Sequence, residues 1–115
     1  MPVAAILAIS EDEVGYQWFT EEGRVRHTSS LRWSGVDSVE VFKRDLFSYD
    51  LICLRLVANN EVVVEFDEED PRWKELMSTL PIHLPGCKRW EDWFPKVAFP
   101  AFDANLQRVF KRKNA

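Results

Sequence analysis

The sequence predicts a β-rich α+β fold, in which an antiparallel meander or partly open barrel is followed by helices. Up to Phe66, short runs of β-prone residues, the clearest of them with alternating apolar positions, are separated by turn residues, as in half-buried strands. After Asp70 the apolar spacing changes to three and four residues, which is typical of an amphipathic helix. Strands that follow one another directly favour antiparallel pairing over βαβ units.

Six strands are predicted before the first helix, and short turns connect them. Glu21, Glu22 and Gly23 suit a hairpin in which the glycine has a left-handed backbone conformation. Asn59 and Asn60 suit a tighter hairpin, because asparagine tolerates a positive φ better than most residues. The predicted strands cover residues 3–9, 15–20, 24–28, 36–42, 50–57 and 61–66.

The first helix is predicted over residues 73–80. Asp70 can accept hydrogen bonds from free backbone N–H groups at its start, and Pro71 fits a first turn. Pro81 and the following Pro85-Gly86 are expected to end it. Its apolar stripe consists of Trp73, Leu76, Met77 and Leu80.

A short or broken second helix is predicted to follow, because Pro95 removes a backbone hydrogen bond from the middle of a helical pattern. A closing strand is predicted over residues 106–112, where Val109 and Phe110 are β-prone. The stripe of the second helix consists of Trp90, Trp93, Phe94 and Val97.

Length and composition predict one domain over residues 1–115. The chain is 46% apolar and has no apolar run near the roughly 20 residues of a membrane helix. The apolar start lacks a positively charged segment before it and is followed by acidic residues, which favours a buried strand over a signal peptide. Two cysteines are too few for a disulfide framework and predict a reducing cytoplasmic location.

The charge of the chain is acidic and uneven. Residues 1–85 contain 8 basic and 16 acidic side chains, a net charge of −8, whereas residues 86–115 contain 7 basic and 3 acidic side chains, a net charge of +4. An acidic body argues against binding phosphate backbones and anionic membranes, so we predict neither a nucleic acid nor a membrane as partner. The basic residues 111–113 are interpreted as a solvated tail.

One stretch of the chain resembles a known family. Gly23 and the sequence LRWSGVDSVEV at residues 31–41 resemble the glycine turn and the W-s-x-[IVL]-x-x-V-x-[VI] motif of small uncharacterised bacterial proteins with a pleckstrin-homology-like barrel. A hairpin, an acidic turn at 65–69, a helix and Leu84-Pro85-Gly86 then follow in the same order. The resemblance covers about residues 14–112 and implies a pleckstrin-homology-like fold without a catalytic signature. The aromatic segment 90–102 departs from that pattern.

Motifs for catalysis, nucleotides and metals are missing from the sequence. It has no G-x-S-x-G, G-x-G-x-x-G or P-loop, and neither His27 nor His83 has a partner at metal-ligand spacing. Glu65 and the acidic residues 67–70 lack the pattern of a calcium loop and favour a solvated turn before the helix. We therefore predict no catalytic residues, no metal and no cofactor.

Two groups of residues are candidates for chemistry. Cys87 lies four residues after His83 and is followed by Lys88 and Arg89, an arrangement that would stabilise its thiolate if these side chains met. Asp45 and Asp50 flank a short loop and would lie within reach of each other. Ordinary packing or solvation is the favoured interpretation of both groups.

The most suggestive feature is a cluster of aromatic residues near the C-terminal end. In one interpretation the segment wraps over the barrel and buries these rings, and in the other it forms a partly exposed contact surface. The candidate partner-binding residues are Trp90, Trp93, Phe94, Phe99 and Phe102.

Together these features favour a non-enzymatic module that binds another protein. One alternative is an immunity-type inhibitor of a toxin, because acidic inhibitors complement cationic toxins electrostatically. Another is an enzyme whose site has no recognisable motif. The sequence does not predict an oligomeric state.

Overall fold

A computed structural model describes residues 4–19, 26–46, 48–99 and 104–113. Within these ranges the chain forms seven strands, two α-helices and one 3₁₀ turn, Trp33–Gly35, between the third and fourth strands. The elements are β1 (Ala5–Ile9), β2 (Glu13–Phe19), β3 (Arg26–Arg32), β4 (Ser38–Asp45), β5 (Asp50–Ala58), β6 (Glu61–Asp67), α1 (Trp73–His83), α2 (Trp90–Ala98) and β7 (Gln107–Lys111).

The described strands form two antiparallel sheets, with the orders β1-β2-β3 and β6-β5-β4-β7. The predicted β-rich, antiparallel α+β fold is therefore confirmed. The two sheets do not close into a barrel over the described residues, although Ala4 N donates a hydrogen bond to Glu65 O at 3.0 Å and brings the start of β1 beside β6. The last strand, β7, pairs with β4 and completes the second sheet.

The Asn59-Asn60 hairpin is confirmed. Both asparagines have a positive φ, 54° and 62°, and Ala58 lies opposite Glu61 at the end of the ladder. Mirror-image turns of this kind match the twist of the two strands that they join. The other predicted turn, at residues 21–23, lies outside the described residues.

The strand boundaries differ from the prediction mainly where the chain passes from the first sheet to the second. β3 continues to Arg32 because its residues stay paired with β2 as far as Glu13. The chain then makes its 3₁₀ turn, so β4 begins at Ser38 and not at residue 36.

Helix α1 begins at Trp73 and buries the predicted stripe of Trp73, Leu76, Met77 and Leu80. It continues through Pro81 to His83, so the prediction that Pro81 ends it is wrong. A proline this near the end of a helix removes only one backbone hydrogen bond, and Leu84 N still donates to Leu80 O at 2.8 Å. Gly86, with φ +94°, then turns the chain away.

Helix α2 is continuous from Trp90 to Ala98, although Pro95 lies inside it. The alternative of a broken helix is therefore wrong, because the single lost bond is compensated by packing of Trp93 and Val97 into the core. Neither described helix is long and apolar enough to cross a bilayer.

A buried lysine connects α2 to the second sheet. Lys43 Nζ donates a hydrogen bond to Ala98 O, the last carbonyl of α2, at 2.7 Å and lies 3.3 Å from the Asp50 carboxylate. A positive charge at the C-terminal end of a helix is favourable, so this contact helps to fix α2 against β4.

Candidate functional site

A groove bounded by α1, α2 and the turn before α1 forms a concave surface among the described residues. We call it the helix groove. Its volume is about 800 Å³. The residues that form its apolar walls are Pro71, Trp73, Met77, Pro81, Trp90 and Phe94.

The helical repeat explains how these side chains reach the same groove. Trp73, Met77 and Pro81 are each four residues apart and lie along one face of α1. Trp90 and Phe94 have the same spacing on α2, whereas Trp93 faces the core. Helix α2 therefore has one aromatic face in the groove and another in the core.

Trp90 is the accessible ring of the groove. Its side chain is 37% exposed, and its ring lies against Phe94 with a centroid separation of 4.6 Å. Trp73 and Met77 are buried but still reach the groove surface. A partner that enters the groove would therefore contact an exposed indole supported by packed rings.

The turn at residues 67–70, which we call the acidic turn, is held in place by neutral donors. Glu68 Oε1 accepts a hydrogen bond from Ile52 N at 3.1 Å. Asp70 accepts from Ile6 N through Oδ2 and from Arg72 N through Oδ1, both at 2.8 Å. The N-cap of α1 is Arg72, which makes no side-chain cap hydrogen bond, so the prediction that Asp70 caps the helix and Pro71 lies in its first turn is wrong. The Asp70 carboxylate instead holds the turn before the helix against β1.

Burial and neighbouring carboxylates raise the pKa of Asp67 above its ordinary value. Burial is the larger cause, and the charges of Glu69, Asp70 and Glu65 add to it. Among the described residues, no lysine or arginine forms an ion pair with any of the four carboxylates of the acidic turn. The acidic turn is therefore negatively charged without a direct ion pair to a described residue, and Lys74 and Arg89 line the same groove.

Glu65 does not belong to the solvated turn in which the sequence placed it. Its side chain is buried, with 1% of the residue exposed, between Arg44 at 3.0 Å and Arg55 at 3.6 Å. The Arg55 guanidinium also lies 4.2 Å from the centroid of the Phe42 ring. These four residues form the charged cluster on the outer face of the second sheet.

The structure separates the five predicted contact residues. Trp90 and Phe94 line the helix groove. Trp93 is a core residue with 2% exposure, so its place in a contact surface is wrong. Phe99 is 70% exposed but lies beyond the end of α2 and does not line the groove. Phe102 lies outside the described residues.

The sequence interpretation missed the contribution of α1 to the groove. Trp73 and Met77 were assigned to the core alone, and Pro81 only to the helix end. The signal was the exact four-residue spacing of these three residues, because it predicts an apolar edge that runs along the helix. That spacing does not reveal that a second helix lies opposite.

Neither cysteine is placed for nucleophilic chemistry. Burial raises the pKa of Cys53 to about 12 and that of Cys87 to about 11, so both thiols are protonated at neutral pH. Cys87 Sγ lies 3.6 Å from Lys88 O, whereas the His83 ring stacks on Trp33 with a centroid separation of 4.8 Å. The structure does not show the thiolate arrangement weighed from the sequence.

The other candidate pair has a structural role. Asp45 and Asp50 lie opposite each other at the end of the β4–β5 ladder, and Asp50 pairs with Lys43. Within the described ranges, no group of three or more His, Cys, Asp or Glu side chains is placed to hold a metal ion.

A second, more polar pocket of about 680 Å³ lies beside the β1–β2 turn, Trp33 and His83. Its side chains hold segments of the chain together. Trp33 Nε1 donates to Ser10 O at 3.0 Å, and the Arg112 guanidinium donates to Trp33 O and Val36 O, both at 2.9 Å. This pocket is therefore the weaker candidate for a binding site.

The chain was compared with protein-family models, curated proteins and solved structures. No protein-family model matches the chain, and neither a curated protein nor a solved structure matches it.

Proposed function

We propose that this chain is a non-enzymatic module that binds another protein through the helix groove. The observation that supports the proposal is the exposed Trp90 ring, which is supported by Phe94 and lies across the groove from α1. Exposed tryptophan in an apolar concave site is typical of the few residues that dominate binding energy.

The size of the groove fits a short peptide segment. A volume of about 800 Å³ lies within the range of roughly 300–1,000 Å³ that is usual for ligand sites. Such a site can enclose one or two large side chains, while the rims contact the neighbouring backbone.

The fold and compartment belong to the same proposal. A pleckstrin-homology-like barrel that is only partly closed is supported by the two antiparallel sheets and by the hydrogen bond between Ala4 and Glu65. A cytoplasmic location is supported by the two free thiols, Cys53 and Cys87.

Selection from a random dodecapeptide library displayed on phage tests the proposal. Peptides selected on the wild-type chain should bind about 30-fold more weakly to Trp90→Ala, which corresponds to about 2 kcal/mol. Isothermal titration with synthetic peptides measures the difference. Phe99→Ala is the matched control, because it removes an exposed aromatic ring outside the groove.

Two results would contradict the proposal. One is that selected peptides bind Trp90→Ala as well as they bind the wild type, although circular dichroism shows both chains to be folded. The other is that the purified chain turns over a small-molecule substrate with an activity that does not depend on the groove.

A further inference from the structure

We infer that the segment bound in the helix groove is basic and that it places an arginine side chain against Trp90. This inference rests on the proposed function and adds the chemistry of the partner. It is drawn from the charges around the groove, the aromatic walls and a contact of the same kind inside the chain.

The negative charge comes mainly from the acidic turn. Its carboxylates accept hydrogen bonds from backbone N–H groups and, at Glu69, from the Tyr49 hydroxyl at 3.1 Å. These donors are neutral, so they satisfy the oxygen atoms without removing the charge. A cation that approached this end of the groove would meet Glu68 and Asp70, which no described lysine or arginine pairs with.

The rim of the groove has more carboxylates than cations. Glu68, Asp70 and Glu91 line it together with Lys74 and Arg89. Arg89 and Glu91 form an exposed pair at 3.8 Å, which contributes little energy and can rearrange when a partner binds. Asp67 and Glu69, which lie in the acidic turn but do not line the groove, increase the negative charge nearby.

The apolar walls are also suited to a guanidinium group. A planar cation is attracted to the face of an aromatic ring, and tryptophan is the strongest ring for this contact. Trp90 and Phe94 present such rings, and Met77 offers an apolar surface for the aliphatic part of the side chain.

The charged cluster on the second sheet also combines an aromatic ring with a carboxylate, and there a guanidinium of the chain itself contacts both. There Arg55 lies over the Phe42 ring at 4.2 Å and 3.6 Å from the Glu65 carboxylate. The helix groove has the rings and the carboxylates, and the inferred partner supplies the guanidinium.

The charge of the whole chain favours the same partner. The net charge is −4, so a basic segment is attracted before contact, whereas an acidic segment or a second copy of the chain is repelled.

The composition of the peptides selected on phage is the first test. Peptides whose binding depends on Trp90 should be enriched in arginine relative to the unselected library. One synthetic peptide is then compared with a version in which citrulline, a neutral side chain of the same shape, replaces arginine. Citrulline should weaken binding by about tenfold or more, because the charge is lost while the apolar contact remains.

Charge-removing variants of the chain are the second test. The double variant Glu68→Gln and Glu91→Gln should bind the arginine peptide about three- to tenfold more weakly and should not change the affinity for the citrulline peptide. The double variant Glu61→Gln and Asp92→Asn is the matched control, because it removes the same charge from positions that do not line the groove. Raising the salt concentration from about 0.05 M to about 0.5 M should weaken binding of the arginine peptide more than binding of the citrulline peptide.

The outcomes separate the inference from the proposed function. If Trp90-dependent peptides are neutral or acidic, or if citrulline binds as well as arginine, the inference is overturned and the binding groove stands. If no selected peptide depends on Trp90, both are overturned. A second copy as occupant would appear as a dimer in analytical ultracentrifugation that Trp90→Ala dissociates, and it would also overturn the inference.

Discussion

The charged cluster on the second sheet and the helix groove are built from the same kinds of side chain but differ in completeness. In the cluster, Glu65 is buried between two arginines, and Arg55 covers the Phe42 ring. In the groove, Trp90 is exposed and the carboxylates of the acidic turn are not paired with described basic residues. The comparison teaches that carboxylates and rings of the same kind can be covered by arginines of the chain itself or, as in the groove, be held by neutral donors alone.

The two faces of α2 show the same contrast for aromatic residues. Trp93 and Val97 contribute to the core, while Trp90 and Phe94 contribute to the groove. The two tryptophans are three residues apart and have identical chemistry, so only their direction from the helix places one ring in the core and the other in the groove.

The largest expected loss of stability is at Trp93, on the core face of α2. Trp93→Ala should lower the free energy of unfolding by about 3–5 kcal/mol, because it leaves a cavity in the core. Trp90→Ala, three residues earlier on the same helix, should lower it by less than about 1 kcal/mol. Urea denaturation followed by circular dichroism measures both, and equal losses would show that the two faces of α2 are not distinct.

A smaller effect is expected in the charged cluster. Glu65→Gln should lower the free energy of unfolding by about 1–3 kcal/mol. The substitution removes the buried negative charge that Arg44 and Arg55 contact, and leaves both guanidinium groups beside a neutral side chain. Glu61→Gln, on the exposed end of the same strand, should change it by less than about 0.5 kcal/mol. If the two variants unfold at the same urea concentration, the cluster does not stabilise the fold.

The smallest expected effect is in the acidic turn, where a substitution should raise the stability of the fold and not lower it. Because the pKa of Asp67 is raised in the folded chain, its contribution to stability is present at low pH and is lost as the pH rises through that raised value. Asp67→Asn removes this loss and keeps an oxygen for the hydrogen bond from Glu69 N. The variant should therefore melt about 1–3 °C higher than the wild type at neutral pH and at the same temperature near pH 3.

Differential scanning calorimetry at the two pH values checks this sign. Glu61→Gln, at the exposed start of β6, is the control and should shift each melting temperature by less than about 1 °C. A lower melting temperature for Asp67→Asn at neutral pH would mean that the carboxylate charge is compensated in the folded chain, which would also weaken the charge argument for the groove.

The local elements followed from local patterns. The tight turn at Asn59-Asn60, the apolar stripe that begins at Trp73 and the closing strand around Val109 were predicted correctly. Each depends on the backbone preferences or the spacing of residues close together in the chain, which the sequence displays directly. The prolines were misjudged, because tertiary packing of α2 outweighs the one hydrogen bond that Pro95 removes.

By itself, then, the sequence determined the α+β class, most of the strands and helices, the acidic charge and the aromatic character of α2. Tertiary structure alone decided that Trp90 faces a groove and Trp93 the core, because that depends on how α2 packs against β4 and β7. It also decided that Glu65 is buried, because its partners Arg55 and Arg44 lie on the adjacent strand β5 and on β4 beyond it, 10 and 21 residues away along the chain. Hydrophobicity and charge identify the rings and the ionic groups, but distances across the fold decide which of them are covered inside the chain and which line an open groove.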